Sequence, residues 1–177
     1  MNMDQGSAAG LASRVAQALQ ASGYQAFYVG GCVRDLLLGR PPKDYDIATD
    51  AIPDRVLQMF PNSRRVGAHF GVILVAEGDA QVEVATFRSD RAYLDGRRPD
   101  RVEFETDPRQ DVIRRDFTIN ALLMAPATGE VTDYVGGRRD LEDGVIRAIG
   151  NPVRRFNEDH LRMLRAVRFA ARFGFDI

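Results

Sequence analysis

Residues 30–50 read GGCVRDLLLGRPPKDYDIATD, and no other stretch restricts the fold as tightly. Residues 25–29 before it predict a strand, residues 33–38 a short helix closed by Gly39, Pro41-Pro42 an extended turn, and residues 44–48 a second strand. A strand running into two glycines and then a helix lets the backbone approach a ligand where a side chain would block it. Strand, helix and strand so close together call for an α/β fold in which both strands share a sheet.

The same stretch carries chemistry. Strand alternation sends Asp44 and Asp46 to one face and Tyr45 and Ile47 to the other. Adjacent like charges at a strand end are costly unless a cation offsets them. Mg²⁺ favours one or two carboxylates plus substrate phosphates. Glu83, in QVEVATF, is a candidate third carboxylate from a neighbouring strand. Gly30 and Gly31 would admit a phosphate chain, and Arg34 would fork onto its oxygens. Asp35 completes the GGxxRD segment and is counted with the nucleotide-side residues. Together these positions describe a triphosphate cradle beside a two-metal centre. A bare DxD is also what two solvated loop acids look like, and a glycine pair is a common turn.

Charge is unevenly distributed. Of the 24 basic residues all but Lys43 are arginine, and residues 138–177 hold nine arginines against six acids, leaving 15 basic against 19 acidic residues elsewhere. A net charge of −1 excludes a uniformly basic nucleic-acid binder. An acidic first part with a basic end fits a metal centre followed by a phosphate-binding helix. No apolar run approaches the roughly 18 residues of a membrane span. The N-terminus lacks the pattern of a secretory signal, and a single cysteine, Cys32, cannot form an internal disulfide, so a cytoplasmic protein is expected. Cys32 reads as a small buried filler, and no Cys/His cluster suggests zinc.

Along the rest of the chain, residues 11–21 and 53–60 predict helices, and residues 71–77 and 81–87 two strands joined by a hairpin at Gly78-Asp79. Residues 88–110 are polar and turn-rich, a mobile loop interrupted only by strand-like RVEF at 101–104. Residues 111–124 predict a helix, 130–134 a strand or turn, and 156–173 the strongest helix of all. On the predicted 111–124 helix, Asp116 and Asn120 share a face beside Arg115.

In the last predicted helix Phe156, Met163, Val167 and Ala170, with Leu164 and Ala171, form an apolar stripe. Asp159, Arg162, Arg165 and Arg168 follow in steps of three as a polar row. Cytosine and adenine both present an amino donor beside a ring-nitrogen acceptor, whereas guanine and uracil present the reverse. An acceptor-only carboxylate beside a donor-only guanidinium, Asp159 with Arg162, therefore suits C and A. Taken alone, the two also read as a surface ion pair.

GGCVRD with DYD, RRDFTINAL at 114–122 and EDHLRMLRAVRFAARFGF at 158–175 resemble three ordered motifs of the class II tRNA nucleotidyltransferases, the CCA-adding enzymes, and of the related bacterial poly(A) polymerases. The resemblance spans residues 24–177. It implies a DNA polymerase β-like nucleotidyltransferase head of mixed α/β (α+β) type, with a twisted sheet and packed helices, over residues 1–145. The first part of a helical neck domain would follow at 146–177. It further implies that Asp44 and Asp46 hold Mg²⁺ and that Asp116 accepts a hydrogen bond from a ribose 2′-OH. Arg115 and Asn120 would lie at the nucleotide, Asp159 and Arg162 would read the base, and Arg165 and Arg168 would lie beside it.

The implied substrates are CTP, ATP and a tRNA 3′ end. RRVGAHFGVILV, which contains His69, is similar to the CCA-adding group. The loop AYLDGRRPDRVEF favours CCA or A-only addition over CC addition. Two rivals remain: a poly(A) polymerase, and a catalytically incomplete RNA-binding or assembly fragment. Transfer to a small molecule such as an antibiotic is disfavoured by the C/A-selective pair. Family members continue into body and tail domains, so this chain is expected to be a core cut from a longer enzyme or a naturally short form. Weak tRNA binding, or association with another chain, would follow.

Overall fold

In the computed structural model the described residues are 7–66, 71–91 and 101–177. Helix α1, Ala8–Ala21, starts where the Ser7 hydroxyl accepts the Gly10 N–H at 3.2 Å, and buries Leu11, Val15 and Leu19. Strand β1, Ala26–Val29, leads through Gly30 into α2, Gly31–Leu37, and then to β2, Asp46–Thr49. Helix α3, Pro53–Met59, has proline at its first turn, where a missing N–H costs nothing. Strands β3, Ser63–Val66, β4, Val72–Glu77, and β5, Ala80–Thr86, follow, and β4 and β5 meet at Gly78-Asp79. A separate ribbon pairs β6, Arg88–Arg91, with β7, Arg101–Phe104.

The chain then passes through α4, Pro108–Ile113, a 3₁₀ turn, Thr118–Asn120, and the short strands β8, Leu123–Met124, and β9, Val131–Thr132. Helices α5, Gly137–Asp143, α6, Pro152–Glu158, and α7, Leu161–Phe173, complete it. The main sheet runs β3-β4-β5-β2-β1-β8-β9 and is mixed, because β2 pairs with β5 in parallel while the other neighbours are antiparallel. Its core joins α1 to Ile47, Ile73, Val82 and Val84. Among the described residues no helix is long and apolar enough to cross a membrane.

A second apolar group sets Phe87, Val112, Ala121 and Leu123 under the start of the ribbon. A third joins Phe117, Ile119, Leu141 and Ile146 to Ala166 and Phe169, so α7 is packed on the 3₁₀ turn and α5. The Phe117 and Phe169 rings meet edge to face at 5.9 Å.

Several expectations need correction. Residues 111–124 are not one helix: α4 ends at Ile113, and Phe117 to Leu123 are buried at every position. A surface helix buries only one stripe, so a run buried throughout crosses the interior as a turn and a strand instead. Residues 156–173 are not one helix either. Asp159 is extended (φ −147°, ψ 105°) and its Oδ1 accepts the Leu161 N–H at 3.0 Å, so the carboxylate that ends α6 caps α7. Finally, the buried face of α7 is Arg162, Ala166 and Phe169, while Met163, Leu164 and Val167 are exposed. The polar row thus turns partly inward. The described residues 88–91 and 101–110 also hold more order than expected, since β6 pairs with β7 and α4 begins at Pro108. His69 and most of AYLDGRRPDRVEF lie outside the described residues.

Candidate active site

Strand β2 begins at Asp46, level with Val29 of β1 on one side and Glu83 of β5 on the other. Asp44 precedes the strand and is exposed, so alternation within β2 accounts for the direction of Asp46 alone. Both aspartates nonetheless line one cleft of about 800 Å³. Gly30 forms its floor with φ 76°, a conformation costly for other residues. A Cβ there would lie 3.5 Å from Asp46 Oδ2 and 3.7 Å from Arg115 Nη1. Burial, then the carboxylate of Glu83, push the Asp46 pKa up to about 6, Arg115 pulling against them and Asp44 adding to the rise.

That crowding of negative charge is what a divalent cation relieves. Among the described residues no group of three His, Cys, Asp or Glu side chains is placed to hold a metal. Glu83, exposed on β5, is not part of the cleft lining. Asp44 and Asp46, which line the cleft together, could hold such a cation as a pair. Two carboxylates fit Mg²⁺, which keeps waters and takes its remaining oxygens from substrate phosphates.

Arg34 reaches the cleft from α2 but is 4% exposed and held by the protein. Its Nε and Nη2 donate to Asp35 Oδ1 at 2.9 and 2.7 Å, and its Nη1 to Asn120 Oδ1 at 2.6 Å. The guanidinium carbon also lies 4.6 Å from the Phe173 ring centre and 5.3 Å from that of Phe169. Asp35 stands behind this arrangement, outside the cleft lining, with its other oxygen 3.6 Å from Arg172. Three of the five N–H donors of Arg34 are thus directed at Asp35 and Asn120, leaving two for a phosphate.

The segment after α4 supplies the opposite wall. Asp116 Oδ1 accepts the Phe117 N–H at 2.7 Å and an N–H of Asn120 at 3.3 Å, so Asp116 and Asn120 meet across a turn. Asp116 Oδ2 receives Arg165 of α7 through Nε at 2.7 Å and Nη2 at 2.6 Å. Arg115 and Arg114 both converge on Asp111.

Asp159 and Arg162 line the same cleft from the α6–α7 junction. Arg162 Nη1 donates to Glu158 Oε2 at 3.0 Å and to the Arg155 carbonyl at 2.9 Å. Burial pushes the Glu158 carboxyl up, but Arg162, Arg155 and Arg154 outweigh it and hold the pKa below the usual range. Arg168 lies with its guanidinium 5.3 Å from the Phe169 ring centre.

Arg88, Asp90 and Arg114 also line the cleft, and sequence reasoning passed over all three. Arg88 and Asp90 fall in the stretch read as loop, and Arg114 differs from Arg115 only in standing one residue earlier. Burial, then the nearby charge of Arg114, lower the Arg88 pKa to about 10. A larger depression of about 1390 Å³ shares Asp90 and Arg114 and continues to Val153 and Arg154 on α6. It holds Asp90 and Glu158 but neither Asp44 nor Asp46, so the paired DxD carboxylates mark the smaller cleft as the candidate site.

A family model described as the poly A polymerase head domain matches residues 26–147. The chain is 47% identical over 166 residues to the CCA-adding enzyme of Lactiplantibacillus plantarum, covering 94% of this chain and 40% of that protein. It is 49% identical over 156 residues to that of Bacillus subtilis, covering 88% and 39%. A crystal structure of Bacillus stearothermophilus CCA-adding enzyme in complex with CTP superposes with TM-score 0.84 at 42% identity, covering 93% of this chain and 39% of that one. Thermotoga maritima CCA-adding enzyme complexed with tRNA_CCA gives 0.73 at 29%, covering 93% and 38%. The chain spans about 40% of the length of the curated relatives it matches. With the glycine turn, the DxD carboxylates and the RRDF segment all inside or bordering one cleft, and with a head-domain match over most of its length, the chain belongs to the poly A polymerase head domain family.

Proposed function

We propose that this chain carries the catalytic centre of a tRNA nucleotidyltransferase that adds C and A to a tRNA 3′ end, using CTP and ATP and releasing pyrophosphate. The observation that carries this reading is the single cleft in which Asp44 and Asp46 face Asp116, Arg165, Asp159 and Arg162. Similarity to proteins named CCA-adding enzymes favours it over poly(A) addition and over an inactive fragment. In domain terms, residues 1–145 would be the head and 146–177 the start of the neck.

In the proposed reaction a terminal 3′-hydroxyl gives up its proton to water and forms a bond to the α-phosphorus, while the bond from that phosphorus to the bridging oxygen of pyrophosphate breaks and pyrophosphate leaves with the electron pair. Asp44 and Asp46 would hold Mg²⁺, which when bound supplies Lewis acidity and charge neutralisation for such a transfer. Glu83 acts on Asp46 by charge from the adjacent strand, because it is that residue's register partner without lining the cleft. Gly30 and Gly31 leave room for the phosphates, and Arg34 and Arg115 face them. Asp116 and Asn120 lie at the ribose, with Arg165 orienting Asp116. Asp159 supplies an acceptor and Arg162 donors to the pairing edge of C or A, and Arg168 borders them. A cytoplasmic setting goes with this reading, since the lone Cys32 is a free, buried thiol.

Equilibrium dialysis of the four ribonucleoside triphosphates with Mg²⁺ tests base selection directly. CTP and ATP should bind at least about tenfold more tightly than GTP and UTP, as expected when unmatched donors and acceptors are left unpaired. Equal binding of all four would refute base reading by Asp159 and Arg162.

A further inference from the structure

Asp111 sits on α4, four residues before Arg115 and outside the recognised motifs. Its carboxylate is buried (1% residue exposure), and the two oxygens divide their work. Oδ1 accepts Nε and Nη2 of Arg114 at 2.9 and 2.6 Å, and Oδ2 accepts Nε and Nη2 of Arg115 at 3.2 and 2.7 Å. Each guanidinium is therefore held along one edge, which fixes its plane as well as its position.

The remaining nitrogen of Arg115, Nη1, is then directed at the cleft floor, 3.7 Å from where a Cβ on Gly30 would stand and beside Asp46. Arg114 and Arg88 line the same cleft. Three arginines crowd one wall, and burial alone makes such charges expensive. Burial pushes the Asp111 carboxyl up, but Arg115 and Arg114 outweigh it and hold its pKa below the usual range, so the group stays ionised as their counter-charge. Asp90, 3.4 Å from Arg88 and 4.0 Å from Arg114, is the second carboxylate on this wall, so two carboxylates meet three guanidiniums and positive charge is left for an incoming anion. The edge-on grip presents it towards the glycine turn, where the cleft admits phosphate.

We infer that Asp111 is a positioning residue for the nucleoside triphosphate: it acts through Arg115, and secondarily Arg114, to aim guanidinium charge at the phosphate side of the cleft. This rests on the nucleotidyl-transfer reading for the identity of the ligand, though not for the side-chain arrangement. The rival account is that Asp111 only neutralises buried charge and holds α4 in place.

The test titrates the full chain with CTP and with inorganic tripolyphosphate, each with Mg²⁺, for wild type, Asp111→Asn, Arg115→Lys and the double variant. Asp111→Asn should weaken both ligands about tenfold, the order expected for losing charge-assisted, bidentate orientation. In the Arg115→Lys background the same change should add less than about twofold, because residues acting as one unit are not additive. Unchanged affinity in Asp111→Asn, or full additivity with Arg115→Lys, would overturn the inference. If Asp111→Asn does not fold, Asp111→Glu replaces it throughout: it keeps the charge but displaces both guanidiniums, and should weaken both ligands in the Arg115 background alone. If wild type binds tripolyphosphate but not CTP, the nucleotide reading fails, and the tripolyphosphate titrations alone decide this inference by the same two criteria; if it binds neither, both are overturned.

Discussion

Arg165 of α7 closes on Asp116, 49 residues earlier, with Nε and Nη2 both within 2.7 Å of Oδ2. The pair ties α7 to the segment between α4 and the 3₁₀ turn, across the candidate cleft that both residues line. Because Asp116 Oδ1 is also engaged by the Phe117 N–H and Asn120, the carboxylate has one fixed orientation. A ribose hydroxyl would meet an acceptor already aimed.

Asp116→Ala should therefore erase sugar discrimination. A site built to hydrogen-bond a hydroxyl rejects the analogue lacking it by orders of magnitude. The ratio of kcat/KM for CTP over dCTP should fall by about tenfold or more in the variant, read from single-nucleotide addition. Arg165→Ala should lower the same ratio less, since it removes the brace and leaves the acceptor.

Arg155 makes a different tie. Its Nη2 donates to the backbone carbonyls of both Arg114 and Arg115, and its Nη1 to Glu158 Oε2 at 2.6 Å. Arg155→Met strips two carbonyls of a charged donor and should cost about 1–3 kcal/mol, measured by urea or thermal unfolding. Arg155→Lys should recover only part of it, because an ammonium lacks the second nitrogen that reaches Glu158 while the first holds both carbonyls.

Much of this site was legible in the sequence, and the failures have physical causes. Asp46, Gly30 and the β4–β5 hairpin follow from local rules: alternation, a positive-φ turn and a glycine at a strand reversal. The run from Phe117 to Leu123 was misread because periodicity marks elements with one wet face, and this run has none. Steps of three put Arg162 in a polar row over the helix surface, yet it is buried, with Glu158 one turn earlier as its partner. Arg34, expected to fork onto phosphate oxygens, is also held by Asp35 and Asn120. Its partner Asn120 lies 86 residues away, a distance over which no local pattern carries information. Similarly, Asp111 carries no motif, and its importance appears only when Arg114 and Arg115 fold back onto it.

Asp46 should make the apo protein less stable above its own pKa. Its folded pKa, about 6, lies above the usual carboxylate value of 3.8. Protonation is therefore favoured by folding: the stabilisation is fully present below about 3.8 and lost as pH rises through about 6. At pH 8 without metal, Asp46→Asn should accordingly stabilise the chain by about 2 kcal/mol, the scale set by 1.36 kcal/mol per pKa unit after allowance for solvent screening. The gain should shrink towards pH 4, as followed by chemical denaturation at both pH values.

Gly137 is required by space. A Cβ there would lie 2.2 Å from the Thr118 carbonyl oxygen and 2.8 Å from its carbon. Gly137→Ala must push α5 off the 3₁₀ turn that precedes β8 and contains Asn120. A loss of about 2 kcal/mol or more is expected, in line with overpacking against backbone that cannot yield. A melting temperature within a degree of wild type would show that α5 moves freely.

The most direct test of the central claim supplies the purified chain with tRNA lacking its last three nucleotides, Mg²⁺, and CTP and ATP singly and together. Products are resolved at single-nucleotide resolution beside an Asp44→Ala/Asp46→Ala control. The account predicts addition of C, C and A that then stops, with no product in the control. A lengthening A tail, addition of G or U at comparable rates, or undiminished product from the control would contradict it.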